Sequence, residues 1–488
     1  MLLPRLFRSC RPWIMIVPLL CALVSGAKGH AQKLDDGSGA FHTRHYRDLF
    51  AERGHTPAET RARIDKAFAQ LFHGDKENES VYFESGSNSN GPLAYITDWA
   101  NKDARTEGMS YGMMIAMQLN KKHEFDAIWN WANTYMLITD AKNPNHGYFA
   151  WSMNVDGTPR SDSPAPDGEE YFVMALYFAD HRWGSGKGIY NYKAEANRIL
   201  RLMRHHPVET STGPFRLHPD DPPFVPKPRP FRPLPSLPPS TAAANSAVPV
   251  RPPSAVARNM PRMMGSGPMM EEKYAMIRFV PNFVPAAPGA PPNPFGNAAE
   301  TTDASYHLPH FYELWARWGP VEDRAFWAHA AEVSRKFFPA VTGPDTGLTP
   351  DRSNFDTSVI LGRDGHPTPY SYDSWRSISN WSVDYAWFHK SADERVLSDR
   401  YQKFLVGQGI HTFADRYTLD GKPLSERHSP GMVATGAVGS LAAREGANAD
   451  AFVDELWNTP VPSGQQRYYD GMLYIMSMLH CSGNYRIW

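Results

Sequence analysis

An all-α fold, a toroid of helical hairpins, is what this chain predicts, and three observations predict it. Roughly a dozen stretches carry apolar residues at helical spacing. Alternating runs of β-branched residues are few. The loops hold the polar and aromatic residues, so function is expected at the loop ends of the helices.

Taken in order, 59–72 forms an amphipathic helix with Ile64, Ala67, Phe68 and Leu71 on one side. Val81-Tyr-Phe83 is a short extended piece. In Arg105-Thr-Glu-Gly-Met-Ser-Tyr-Gly-Met-Met-Ile-Ala-Met117, methionines recur every fourth residue, which predicts a buried helix with Glu107 at its mouth. Gly108 and Gly112 lower its intrinsic propensity and let another group approach closely. Helix 125–136 follows, then the loop Gly147-Tyr-Phe-Ala-Trp-Ser152. Ser163-Pro-Ala-Pro-Asp-Gly-Glu-Glu170 leads into an apolar helix over 171–178, the same layout as at Glu107. Further helices are predicted at 310–318, 324–338, 374–389, 396–410, 432–443 and 468–479.

Two kinds of segment fall outside this pattern. The first 31 residues read as a secretion signal, with Arg5, Arg8 and Arg11 ahead of an apolar stretch and cleavage after Ala27 or Ala31. Of the 43 prolines, 22 fall between Pro214 and Pro294, so 212–266 is expected to be a disordered or polyproline excursion and 284–300 a smaller one. Met276-Ile-Arg-Phe-Val-Pro281 is a brief return to order between them. Both excursions are expected to sit inside a single helical unit, 32–488.

Composition excludes several partners. The net charge is −1 with 21% charged residues, which gives no electrostatic case for nucleic acid. No stretch after the signal is long and apolar enough for a membrane helix, so the mature protein is expected to be exported, periplasmic or secreted, and free of the membrane. Cys481 alone remains after signal removal, which leaves no intramolecular disulfide and no cysteine metal site. The 14 Trp and 22 Tyr suit stacking on sugars, though a large core also uses them.

Glu107, Asp167 and Asp373 each stand near a helix start and an aromatic residue. Two such carboxylates on separate loops of one rim can serve glycoside hydrolysis: one protonates the leaving oxygen, the other activates water. Acidic helix starts are also favoured by the helix dipole alone. Arg376, three residues past Asp373, can hold that carboxylate ionised. Trp129 and Trp131, within a helix, suit the core, whereas Trp151, in a loop, suits a sugar platform, and Tyr148, Tyr306 and Trp375 are further aromatic candidates. Rival chemistries find less support. His307-Leu-Pro-His310 holds a proline and is no metal signature, and Gly184-Ser-Gly-Lys-Gly188 lacks phosphate-loop spacing. Gly108-Met-Ser-Tyr-Gly112 matches a nucleophile-elbow string, but Ser110 follows a polar stretch rather than a predicted strand.

Arg105-Thr-Glu-Gly-Met-Ser-Tyr-Gly-Met-Met, Pro164-Ala-Pro-Asp-Gly-Glu-Glu-Tyr-Phe and Asp303-Ala-Ser-Tyr-His-Leu-Pro-His-Phe-Tyr-Glu-Leu resemble glycoside hydrolase family 8, most of all its reducing-end xylose-releasing exo-oligoxylanases. The resemblance implies an (α/α)6 barrel and an inverting reaction without metal or cofactor. It implies Glu107 as general acid, Asp373 as general base, Asp167 as the carboxylate that distorts the sugar, and Tyr306 as a holder of the attacking water. Arg376 would stand beside the base and Trp151 would be a platform. Asp303 matches a supporting residue and ranks below Asp373 as a base. The substrate implied is a xylo-oligosaccharide and the enzyme is expected to be a monomer. In the exo-enzymes a Leu-His-Pro loop closes the cleft and its His reads the reducing end. Here the matching stretch is Ser425-Glu-Arg-His-Ser-Pro-Gly431, which keeps His428 but has Arg427 for the Leu and Ser429 for the Pro. Less complete closure is therefore expected, with an endo-xylanase or endo-glucanase as the alternative. A carbohydrate-binding protein without catalysis is the alternative of another class.

Overall fold

The computed structural model describes residues 37–205, 275–281 and 301–488, except 363, 364 and 445, together with the backbone of 207–210 and 213–216. The signal segment lies outside these residues, as do 284–300 and all of 212–266 beyond the strand at 213–216.

Twelve helices of two turns or more stand among the described residues: α1 Pro57–His73, α2 Thr106–Gln118, α3 Lys122–Trp131, α4 Pro166–Trp183, α5 Tyr192–His205, α6 Pro309–Trp318, α7 Arg324–Val341, α8 Trp375–Phe388, α9 Asp393–Gln408, α10 Pro430–Val438, α11 Ala447–Asn458 and α12 Arg467–Cys481. The even-numbered helices form the inner ring. α2 packs on α4, α8 on α6, α10 on α8, α12 on α10, and α12 returns to α2. The α4–α6 seam is made by Tyr171 edge-on to Phe311 and by the Tyr312 hydroxyl donating to Glu170 at 2.6 Å. Each odd-numbered helix lies outside, against a neighbouring inner helix, and α1 closes the sixth pair with α12. This is the expected (α/α)6 barrel.

Local chemistry explains the pieces. α1 starts on a capping box: Thr56 accepts from the Glu59 amide while Glu59 accepts from the Thr56 amide. α2 is buried on nearly every face, including Met109, Met113 and Met117, as an inner helix must be. The C-terminus is tied to α2, since Gln118 Oε1 accepts from the Arg486 amide and from Trp488 Nε1. The predicted helix 125–136 ends its α-helical part at Trp131 and runs on as a π turn, Ala132–Met136.

Strands are more numerous than the sequence suggests. β1 Tyr82–Asn88, β2 Gly91–Asp98, β3 Asp103–Arg105 and β4 Ser152–Asn154 make one antiparallel sheet. β5 Pro207–Thr210 pairs with β6 Gly213–Arg216, and β7 Thr301–Thr302 with β8 Ser353–Asn354. β3 pairs Arg105 with Ser152, and the Thr106 amide donates to Trp151 O at 3.0 Å. That sheet therefore sets Trp151 beside the start of α2. The barrel end carrying the starts of α2, α4, α8 and α12 holds every carboxylate of the predicted site. A cavity of about 510 Å³ opens at the opposite end, among Tyr46, Trp387 and Tyr485, and no predicted site residue lines it.

Candidate active site

Close approach of helix starts builds the site. A Cβ on Gly168 would lie 2.5 Å from Thr106 Cβ, so only glycine lets α4 and α2 come this near and places Asp167 beside Glu107. A Cβ on Gly108 would lie 2.5 Å from the Tyr468 ring, so Gly108 admits that ring across the helix mouth. The Tyr468 hydroxyl then donates to Glu107 Oε1 at 2.8 Å.

Arg376 joins the three carboxylates. Its Nη1 is 2.7 Å from Asp167 Oδ2 and 3.2 Å from Glu107 Oε2, and its Nη2 is 3.1 Å from Asp373 Oδ1. It also donates to Tyr111 Oη at 2.7 Å and Ser305 Oγ at 2.9 Å. Glu107 and Asp373 thus face each other across one guanidinium, a geometry compatible with the roughly 6.5–9.5 Å separation of an inverting pair.

Burial raises the Glu107 carboxyl to about 7, with Asp373 and Asp167 pushing the same way and Arg376 and the Tyr468 hydrogen bond opposing. Burial also raises Asp167, against the pull of Arg376. The phenol of Tyr306 is held neutral, its ionisation driven up by burial and by Asp167 and Asp373. Glu107 is therefore equipped to carry its proton near neutral pH. Asp373, whose side chain keeps 36% exposure, is open to solvent and to a water.

The carboxylates stand at the waist of a trough. One half, about 490 Å³, is lined by Trp151, Asp167, Phe279 and Tyr306 together with Glu107 and Asp373. The other, about 430 Å³, is lined by Glu107, Asp373, Tyr372, Gln466, Tyr468 and Tyr469. Trp151 keeps 38% exposure and lies under the Arg105 guanidinium, as a platform on the trough wall requires.

The structure brings Glu107, Asp167, Asp373, Tyr306, Trp151 and Arg376 together, but three expected substrate contacts stand elsewhere. Trp375 is fully buried and donates its Nε1 to Asp415 O at 2.9 Å, so it anchors the start of α8 in the core. Tyr148 is buried, 1% exposed, and lines neither half of the trough. His428 lines neither half. Its Nδ1 shares a hydrogen bond with Phe413 O at 2.8 Å and its ring meets the Phe413 ring edge-on. The reason lies in its neighbours: Arg427 is drawn to Asp415 and Asp470, and Ser429 donates to Asp470 at 2.6 Å, which folds the loop down onto the start of α12. Arg376, also expected among the substrate contacts, is buried, and its guanidinium is taken up by the three carboxylates.

Ser110 is no nucleophile elbow. It lies in the second turn of α2, buried, and donates to Glu107 O at 2.9 Å. A short strand, β3, does precede α2, where the sequence shows only a polar stretch.

Other trough residues escaped the sequence reading. Tyr468 and Tyr469 open α12 next to Glu107 and Asp373, and the Tyr469 hydroxyl donates to Tyr372 O at 3.1 Å. Tyr372, just before Asp373, is exposed and held at φ 41°, a backbone region that a bulky residue enters only at a cost. Phe279 comes from the short ordered piece between the two Pro-rich excursions. It stacks on Tyr306 at 5.4 Å and its amide donates to Thr301 O. The signal was visible as an apolar island in a proline desert, but periodicity gives an isolated six-residue run no partner.

Gly108→Ala supplies a direct check on the helix mouth. The added methyl displaces Tyr468, which removes a hydrogen bond that favours ionised Glu107. Expected are a loss of activity of about tenfold or more and an upward shift of the alkaline limb of the pH–rate profile. Tyr468→Phe should reproduce the limb shift without the packing defect.

A proton-bearing glutamic acid facing an arginine-held carboxylate across an open trough can protonate a leaving oxygen on one side of a sugar while water is deprotonated on the other. On an (α/α)6 barrel this equipment defines an inverting glycosidase. Residues 88–214 match the model of the glycosyl hydrolases family 8. The chain is 37% identical over 93% of its length to the reducing-end xylose-releasing exo-oligoxylanase Rex8A of Paenibacillus barcinonensis, 99% of which is covered. It is also 37% identical to the reducing-end xylose-releasing exo-oligoxylanase of Halalkalibacterium halodurans, over 92% of this chain and 96% of that one. A crystal structure of a GH8 xylanase from Teredinibacter turnerae, a catalytic mutant in complex with xylohexaose, superposes with a TM-score of 0.74 at 42% identity, covering 92% of this chain and 99% of that one. The chain belongs to glycoside hydrolase family 8, and it is an inverting glycosidase.

Proposed function

We propose that this enzyme hydrolyses β-1,4-xylo-oligosaccharides and releases xylose from their reducing ends. The observation that carries the reading is the Arg376-bridged set of Glu107, Asp167 and Asp373, in a chain 37% identical to an enzyme of that activity. Glu107 protonates the departing xylosyl oxygen. Asp373 takes a proton from a water that attacks the anomeric carbon from the opposite face, and Tyr306 helps hold that water. Asp167 and Trp151 seat the sugar being cleaved.

A second reading, endo-xylanase, is favoured by one observation: His428 turns to Phe413 and lines neither half of the trough. Product profiles on xylohexaose and on its borohydride-reduced alditol decide between them. Reducing-end action is expected to give xylose plus xylopentaose early and to fail on the alditol. Equal cleavage of both, with xylobiose and xylotriose early, means endo action.

Export is proposed on the leader sequence: the mature protein should begin at Lys28 or Gln32, which N-terminal sequencing of the native protein reads directly. Among the described residues no helix is long and apolar enough to cross a membrane.

A further inference from the structure

Two more carboxyl groups stand beside Asp373. Pairing of β7 with β8 sets Thr302 opposite Ser353, which brings Asp303, just after β7, toward Asp351, just before β8. Asp351 is fixed by its amide, which donates to Pro369 O at 2.9 Å. Asp303, Asp351 and Asp373 each offer one carboxylate oxygen, and these oxygens all lie within 4.8 Å of one another. Asp303 is wholly buried; its Oδ1 accepts from the Ser305 amide at 2.7 Å, and its Oδ2 has no hydrogen-bond partner among the described residues.

Three negative charges this close repel strongly. Besides Asp303, the charged groups facing Asp351 are Asp373, which raises it, and Arg352, Arg376 and Arg416, which lower it. Burial and Asp373 together bring Asp351 to about 7. Asp303 is driven well above the carboxylate range by burial, then by Asp373 and Asp351. Protons therefore remain in the cluster near neutral pH. Arg376 already supplies a cation 3.1 Å from Asp373, which disfavours a metal ion there.

We propose that Asp351 and Asp303 are positioning residues for the general base: a proton held on this pair is donated toward Asp373 and fixes which of its oxygens faces the attacking water. The proposal rests on Asp373 being the base. Asp373 Oδ1 is already engaged by Arg376. The Tyr469 hydroxyl also points at Oδ1, at 3.5 Å, so a donor on one lone pair of Oδ2 leaves the other lone pair of Oδ2 for the water. The reaction still balances. The water O–H bond breaks, its proton goes to Asp373, and its oxygen bonds the anomeric carbon. The glycosidic C–O bond breaks and the leaving oxygen takes the Glu107 proton. The proton on Asp351 or Asp303 is neither consumed nor produced.

Asp351 variants test this on xylotetraose. Asp351→Ala should lower kcat about tenfold or more with KM changed about twofold or less. Asp351→Asn keeps a donor and should recover most of that loss at about pH 6. In the parent, Glu107 and Asp351 lose protons over one range, so the alkaline limb of log kcat/KM should fall with a slope approaching about −2. In Asp351→Asn it should fall at about −1, because an amide does not titrate there. The slope is the readout that a merely structural role would not move, and it decides the matter if Asp351→Ala fails to fold. An unchanged kcat in a folded Asp351→Ala, or an unaltered slope in Asp351→Asn, overturns the proposal. So does a loss of parent activity in EDTA that calcium or magnesium restores, since that would make the cluster a metal site. Asp373→Asn is run beside them: a variant as active as the parent removes the base assignment itself, whatever Asp351 does.

Discussion

Glu107→Gln is expected to lower kcat on xylo-oligosaccharides about 10³-fold, with KM within a few-fold of the parent. The amide keeps the shape and can still meet Tyr468 Oη and Arg376 Nη1, so the fold and the sugar contacts should survive. What is lost is the proton for the leaving oxygen. A β-xylobiosyl fluoride, whose leaving group departs without protonation, should suffer far less. An equal loss on both substrates would mean that Glu107 does something other than proton donation. The alkaline limb near 7 should lose the share that Glu107 contributes, leaving the limb that Asp351 sets. The same group affects stability. Its folded-state value, about 7, lies above the ordinary 4.5, so the folded chain binds this proton more tightly than the unfolded one. Glu107 therefore costs stability as pH climbs from about 4.5 to about 7, and Glu107→Gln should flatten that part of the stability–pH curve.

The inner ring was legible in the sequence because each inner helix carries apolar residues at helical spacing, even where polar residues lie between them as in α8. The methionine spacing of α2 and the apolar run of α4 state their burial directly. Two outer helices, α5 and α11, were missed. In α5, Ala196, Ile199, Leu200 and Met203 do keep helical spacing, but charged residues dominate the exposed face and blur the pattern. The strands were hidden for another reason. β1 exposes most of its residues, and β3 and β4 are three residues each, too short for alternation to register. The acid and its neighbours were visible as residue types at helix starts, and the resemblance in motifs gave them roles. Their joining through Arg376 was not visible, since it spans 209 residues to Asp167 and depends on α2, α4 and α8 meeting at one end of the barrel. Trp375 and Tyr148 misled because an aromatic residue near a carboxylate looks the same in sequence whether its ring faces a trough or a core. Only packing separates Trp151, exposed on β4's approach, from Trp375, locked to Asp415. Asp351 was invisible because what marks it is its distance from Asp303 and Asp373, set by the β7–β8 pairing.

Arg376→Ala should be the most damaging single change in the barrel. The side chain contacts Glu107, Asp167 and Asp373 and also satisfies Tyr111 and Ser305. Removing a cation from a buried cluster leaves its partners uncompensated, at a cost of about 3–5 kcal/mol. The size of that cost must depend on pH, and its sign follows from the groups left behind. Arg376 lowers both Glu107 and Asp167, so without it both carboxyls rise further above their ordinary values. Carboxyls with raised folded-state values lose stability as pH increases. The variant should therefore lie closer to the parent in acid, where these carboxyls are protonated and need no cation, and fall furthest behind at mildly alkaline pH. Urea unfolding of both proteins at about pH 5 and about pH 8 measures the difference, and a gap independent of pH would refute this electrostatic account. Activity should drop about 10²–10³-fold even where the variant is folded, because the base loses its oriented donor. Arg376→Lys should restore part of the stability and little of the rate. One ammonium can neutralise a cluster, but it cannot reach Asp167 and Asp373 with separate, fixed N–H groups as the guanidinium does.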